Sequence, residues 1–327
     1  MTRDENGVVL CVGEPLIALA PEPGDLLSDT ERVLVSEGGA ELNVAVHLAR
    51  LGLRVRFAGR VGDDPLGRRV HAVLRREGVD ASGLTFDSTR PTGVYFKQYA
   101  SAATSFHYYR DGSAASALGD LPDAASAGVR HVHLTGILPA LSHSCRRLTE
   151  RLMSERRHAT RSFDVNYRAP LWNPEAAAPV LRDLADQADI AFVGLDEARA
   201  LWGTETPDNV RRLLPNVAEL VVKDGERPAL ALLNGGARVS EPPVARRVVD
   251  PVGAGDGFAA GYLAARLTGM DVRSALRLGH TIAAGVLGAH GDHGDPTTEH
   301  QIAAALDNPG TREAAHPSCH QRREVHG

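Results

Sequence analysis

Short apolar runs alternate along this chain with longer amphipathic segments. VVLCVG (8–13), RVRFAG (54–59), HVHLTG (131–136), RSFDVN (161–166), IAFVG (190–194) and LVVKDG (220–225) have the length and composition of buried strands. The segment NVAVHLARLG (43–52) puts Val44, Leu48 and Leu51 on one helical face and stops at Gly52. In DPLGRRVHAVLRREG (64–78), Asp64 reads as an N-cap, Pro65 as the first helical residue and Gly78 as the stop. Helices are also predicted over 144–157, 175–188, 196–203, 258–269 and 272–288. Such alternation implies an α/β fold: a doubly wound, mainly parallel sheet with helices on both faces. Ligands of these sheets bind at the carboxyl ends of the strands.

One stretch breaks the alternation. TGVYFKQYASAATSFHYYR (92–110) has two β-prone halves about a small-residue turn, which is a hairpin pattern. A hairpin has no place in a parallel ladder, so it is expected to form a small β lid. The lid is drawn from about residues 14–36 and 92–110. Residues 1–310 are then one domain, and the polar, aperiodic 311–327 is expected to be a disordered tail.

Composition narrows the function. The 327 residues carry a formal net charge of −5 and no basic cluster beside aromatics, which disfavours a nucleic-acid partner. No stretch has the apolar length to span a bilayer. The acidic start MTRDENG is unlike a secretory signal, and three scattered cysteines form no CxxC pair, so a cytoplasmic setting is expected.

The chemistry concentrates in DPVGAGDGFAAGYLAARL (250–267). Gly253 and Gly255 permit a tight turn, and the helix that follows offers unpaired N–H groups and a positive dipole end. Together with Ala254 they form a cradle for an anion, of which phosphate is the natural case. A carboxylate beside such a cradle, Asp256, suits a general base that accepts a hydroxyl proton during phosphoryl transfer. Taken alone, the four residues equally read as a turn plus a helix cap. Neither a GxxxxGK[ST] loop nor GxGxxG spacing is present, because position 258 is Phe.

DPVGAGDGFAAGYLA resembles the C-terminal signature of the ribokinase-like (PfkB) carbohydrate kinases. EGGAELNVAVHLARLG (37–52) and RVGDDPLGRRV (60–70) resemble the N-terminal one. The resemblance runs from about Val8 to about Leu306. Within the family, TGVYFKQY, FHYYRDGSAAS and FDVNYRAPLW are most similar to the corresponding stretches of 2-keto-3-deoxygluconate kinases. The resemblance implies ATP and Mg²⁺ as cofactors and a sugar acid phosphorylated on its terminal hydroxyl to 2-keto-3-deoxy-6-phosphogluconate. It implies sugar contacts from Gly39, Asn43, Tyr95 and Tyr109, with Tyr108 and Tyr99 left to hairpin packing. Arg110 and Arg168 are expected to grip the carboxylate, since a guanidinium pairs with it bidentately; the bland alternative for each is a surface salt bridge. Lys223 and Gly225 are expected on the nucleotide side. Glu197 is expected to act indirectly on Mg²⁺, although Gly194 stands where relatives carry Asn in an Asn-x-x-Glu motif. Asp250 is expected to hold a monovalent cation such as K⁺, and the chain to form a homo-oligomer. A fructokinase or other sugar kinase of the family is the runner-up, and a non-catalytic sugar-binding regulator the reading from another class. His131 and His133, two apart on a strand, share a face, but lacking a third ligand they read as packing residues. The loop holding His290 and His293 is expected near the adenine.

Overall fold

A computed structural model of the chain describes residues 7–22, 24–99, 104–155 and 159–306. The tail expected at 311–327 and the hairpin turn at 100–103 lie outside these residues. Thirteen strands form two sheets among the described residues. They are β1 (Val8–Val12), β2 (Leu16–Ala20), β3 (Leu34–Gly38), β4 (Val55–Gly62), β5 (Asp80–Asp87), β6 (Val94–Gln98), β7 (Ser105–Tyr109), β8 (Val129–Thr135), β9 (Thr160–Asp164), β10 (Ile190–Gly194), β11 (Glu219–Lys223), β12 (Ala229–Leu233) and β13 (Arg238–Glu241).

The nine-stranded sheet has the order β13-β12-β11-β10-β9-β8-β1-β4-β5. Its strands run parallel from β11 through β5, and the β11–β12 and β12–β13 pairings are antiparallel, so that β12 alone runs against the rest. The strands read from the sequence are thus the central ones, whose residues are buried on both faces. Those not anticipated (β5, β12, β13) lie toward the edges; exposed polar residues blur the signal of β5 and β13, while the apolar β12 is only five residues long, a run that periodicity alone cannot assign.

Two apolar clusters cover the sheet. One packs Leu42, Leu48, Phe258, Tyr262 and Ile282 against one face, and the other packs Leu148, Leu181 and Leu184 against the opposite face. Helix Pro65–Arg76 starts as expected: Asp64 Oδ1 accepts from Gly67 N at 2.7 Å and Pro65 is the first helical residue. The polar histidines behave as packing residues. His131 and His133 are buried against Thr160 and Ser162, each contact 2.8 Å, and burial pushes both imidazoles down to about 3.

The second sheet has the order β3-β2-β6-β7. Strand β2 runs antiparallel to β3 and parallel to β6, while β6 and β7 form the expected antiparallel hairpin.

Candidate active site

A cavity of about 680 Å³ opens where the carboxyl ends of the large sheet meet the small sheet. Strand ends and the turns after them supply its floor: Glu14 after β1, Asp164 at the end of β9, Lys223 at the end of β11 and Glu197 just beyond β10. Its volume is within the range of small-ligand sites.

Asp256 sits at the start of helix Ala254–Leu267, 8% exposed, and lines the cavity. Gly253 caps that helix with φ 79°, a left-handed conformation open to glycine. A Cβ there would lie 2.1 Å from the Asp292 carbonyl oxygen, so packing and backbone both demand glycine. The first intrahelical bond runs from Gly257 N to Gly253 O at 2.8 Å, so the Gly255 and Asp256 amides precede it, in residues that line the cavity.

Two amides orient the Asp256 carboxylate. Asn43 Nδ2 donates to Oδ2 at 2.8 Å, and Asn166 Nδ2 approaches Oδ1 at 3.4 Å. Burial pushes the Asp256 carboxyl up to about 7; the Asn43 hydrogen bond opposes this and the Asp164 charge adds to it. A carboxyl poised near neutrality suits a base that must take up a proton and release it. Asn166 had not been singled out in the sequence. Its one available signal is structural: it has φ 38°, a strained value for a residue that bears a side chain.

Lys223 Nζ donates to Asp164 Oδ2 at 2.7 Å and stands 3.6 Å from where a Cβ on Gly255 would be, beside the anion cradle. Burial opposes its charge, but Asp164 and Glu197 outweigh burial and hold the amine above its ordinary value. Glu197 is pushed up to about 7 by burial and then by Asp164. Among the described residues no group of three or more His, Cys, Asp or Glu could hold a metal unaided. Asp164 and Glu197 both line the cavity, and a pair of carboxylates suits a divalent ion that shares its remaining oxygens with a bound phosphate.

Several expected residues converge on the cavity: Gly39, Asn43, Tyr95, Arg168, Glu197 and Lys223 all line it. Gly39 is indispensable in its backbone, with φ 126° and the Glu14 carbonyl oxygen 2.3 Å from a hypothetical Cβ. The structure places other expected residues differently. Tyr109 is 66% exposed and packs edge-on against Phe96, away from the cavity; Tyr108 lines it instead. The reason is register: Tyr95 pairs directly with Tyr108, so these two share a face, and their rings stack at 5.4 Å.

Arg110 lines the cavity, but its guanidinium is captured by buried Glu14, which also accepts from Ser113 Oγ at 2.8 Å. Arg168, exposed and without an ion pair among the described residues, is left to meet an acidic ligand. Gly225 lies in the exposed β11–β12 turn with φ 57° and does not reach the cavity. Asp250 is fully buried and already paired: its Oδ2 accepts from Lys97 Nζ at 2.7 Å and Tyr99 Oη at 3.3 Å, and its Oδ1 from Val252 N at 3.0 Å. The loop with His290 and His293 brings Asp292 to the cavity wall, where it accepts from Tyr95 Oη at 2.6 Å.

Residues 8–299 match the model of the pfkB family carbohydrate kinases. The chain is 36% identical over 295 residues to the 2-dehydro-3-deoxygluconokinase of Bacillus subtilis, covering 87% of this chain and 89% of that one. It is 30% identical over 292 residues to the 2-dehydro-3-deoxygalactonokinase of Haloferax volcanii, covering 86% and 91%. Among solved structures, a PfkB protein from Polaromonas sp. JS666 superposes with TM-score 0.76 at 35% identity, covering 85% of this chain and 95% of that one.

Proposed function

This chain belongs to the pfkB family of carbohydrate kinases, and on that premise we propose that it transfers the γ-phosphoryl group of ATP to the terminal hydroxyl of 2-keto-3-deoxygluconate. The observation that carries the reading is the meeting, in one cavity, of Asp256 at a glycine-capped helix start with exposed Arg168, which has no ion pair among the described residues. The base and the phosphate cradle suit a kinase, and the Arg168 guanidinium suits an acidic acceptor.

Asp256 accepts the hydroxyl proton as the acceptor oxygen bonds to the γ-phosphorus, while the bond to the bridging oxygen breaks and ADP leaves. Asn43 and Asn166 hold the carboxylate toward the acceptor. The Gly255 and Asp256 amides and Lys223 would stabilise charge on the transferring group. Magnesium bound to the nucleotide would be held on the protein side by Glu197 and Asp164, and it supplies neutralisation of phosphate charge. Arg168 binds the carboxylate at the far end of the acceptor, and stacked Tyr95 and Tyr108 flank its carbon chain. Residues 1–310 act as one kinase domain whose small sheet closes over the cavity and excludes water.

The same reading covers the setting of the enzyme. Among the described residues no helix is long and apolar enough to cross a membrane, and Cys11 and Cys145 are free and buried, which supports a cytoplasmic enzyme. Exposed Leu34 and Tyr109 on the edge strands of the small sheet support a homo-oligomer. Coupled ADP release with ATP and Mg²⁺ tests the acceptor, comparing 2-keto-3-deoxygluconate, its galactonate epimer, fructose and ribose. Turnover confined to the keto acids, and lost in Asp256→Asn, is the expected result. Turnover on fructose alone would retain the kinase chemistry and remove the acidic acceptor. Sugar binding without turnover would favour a regulator.

A further inference from the structure

The strand β6 sends Tyr95, Lys97 and, just past its end, Tyr99 to one side, as alternation along an extended chain requires. All three end on buried carboxylates. Lys97 Nζ lies 2.7 Å from Asp250 Oδ2 and 2.7 Å from Asp292 Oδ1, with its side chain 1% exposed. Tyr95 shares Asp292 and Tyr99 shares Asp250. Burying an ammonium is costly unless its partners are close and fixed, so this cluster holds one geometry.

Its two carboxylates belong to the loops that build the phosphate cradle. Asp250 lies three residues before Gly253 and caps the turn through Val252 N. The Asp292 carbonyl oxygen fills the space against Gly253 that a side chain would need. The segment is further tied to helix Val272–Leu287 by Val249 N donating to Leu287 O at 2.7 Å. A single positive charge thus clamps both loops from outside the cavity. A potassium ion at Asp250 and Asp292 would have to take the place of the Lys97 ammonium, which already stands between the two carboxylates, with Tyr99 and Val252 N as further donors to Asp250.

We infer that the Lys97 ammonium is a built-in monovalent cation that fixes the loops around the phosphate cradle, so that turnover needs no added potassium. Lys97 is a positioning residue: it touches neither phosphate nor acceptor, and acts through Asp250 and Asp292. The inference rests on the kinase reading above. It also links the small sheet to the cradle, since the same strand carries Tyr95 into the acceptor side of the cavity.

The test is ADP affinity by titration calorimetry, together with kcat and KM, in potassium, sodium and tetramethylammonium chloride at equal ionic strength. The unaltered protein is expected to give ADP affinities and kcat values within twofold across the three salts. A tenfold gain in potassium would overturn the inference while leaving the kinase reading intact. No ADP binding in any salt would remove the kinase reading and the inference with it. Lys97→Ala, which opens the space, is expected to lower kcat at least tenfold in tetramethylammonium while changing the KM for acceptor less than threefold. Potassium or ammonium should then restore at least fivefold. A variant that is as fast as its parent, or equally slow in every salt, overturns the assignment. Should the variant not fold, the salt series on the unaltered protein decides alone.

Discussion

Asp256→Asn should cripple turnover and yet stabilise the protein, but only at neutral pH and above. The carboxyl is pushed from 3.8 up to about 7 by burial, with Asp164 adding to the effect. In the unfolded chain the same group ionises near its ordinary value. Below both values each state carries the proton and nothing is lost. As pH rises from about 4 to 7 the unfolded state ionises first, so the native state becomes progressively less favoured, and the full penalty stands above 7. About three units at ~1.4 kcal/mol each amounts to roughly 4 kcal/mol at pH 8. Asparagine removes the charge and keeps an oxygen for Asn43, but it turns its own amide toward Asn166, which gives back about 1–2 kcal/mol. The variant should therefore be about 2–3 kcal/mol more stable than its parent at pH 8 and about equal to it at pH 5, where only the unfolded state is ionised and roughly 1.6 kcal/mol of the penalty remains to offset the cost of the substitution. Denaturant unfolding of both proteins at the two pH values measures this directly. A stability difference of the same sign and size at both would refute the claim that Asp256 carries a burial penalty. The same titration predicts that kcat/KM of the parent rises with pH through about 7, because the base acts only when unprotonated. The variant should lose about 10²–10⁴-fold in kcat.

The rest of the site can be probed residue by residue. Arg168→Gln should raise the KM for a keto-acid acceptor by about 10–100-fold, the worth of a charge-assisted hydrogen bond, and leave the KM for ATP unchanged; equal effects on both would remove its acceptor role. Tyr108→Ala should raise acceptor KM while Tyr109→Ala leaves it within twofold, and the reverse would contradict the hairpin register. Lys223→Met should lower kcat and move the rise in kcat/KM to higher pH, since the Lys223 charge holds the Asp256 carboxyl down; an unmoved pH profile would deny that coupling. Gly253→Ala meets both a left-handed φ and the Asp292 carbonyl, so a loss of about 1–3 kcal/mol in stability and of measurable ADP affinity is expected by denaturant unfolding and calorimetry.

Much of this architecture is legible because its causes are local. The central strands announce themselves as uninterrupted apolar runs, and helix Pro65–Arg76 by Asp64 and Pro65. The anion cradle follows from two glycines placed before a helix. The family signatures extend the reading to Asn43 and Asp256, which the fold brings to 2.8 Å from 213 positions apart. What could not be read depends on partners remote in the chain. Which tyrosine of the pair 108–109 faces the cavity is set by hairpin register, and a slip of one residue exchanges them. Whether Arg110 is free is set by Glu14, 96 positions away, because a buried carboxylate claims the nearest guanidinium. Lys97 reads in sequence as an ordinary strand lysine, a residue expected at a surface. Only the docking of the small sheet on the loops at 250 and 292 buries it between two carboxylates. The sequence alone determined the central elements and singled out Asp256 as the proposed base, since both rest on neighbouring residues. Tertiary structure decided which charges remain free to meet a ligand, since every buried charge must first find its counterpart across the fold.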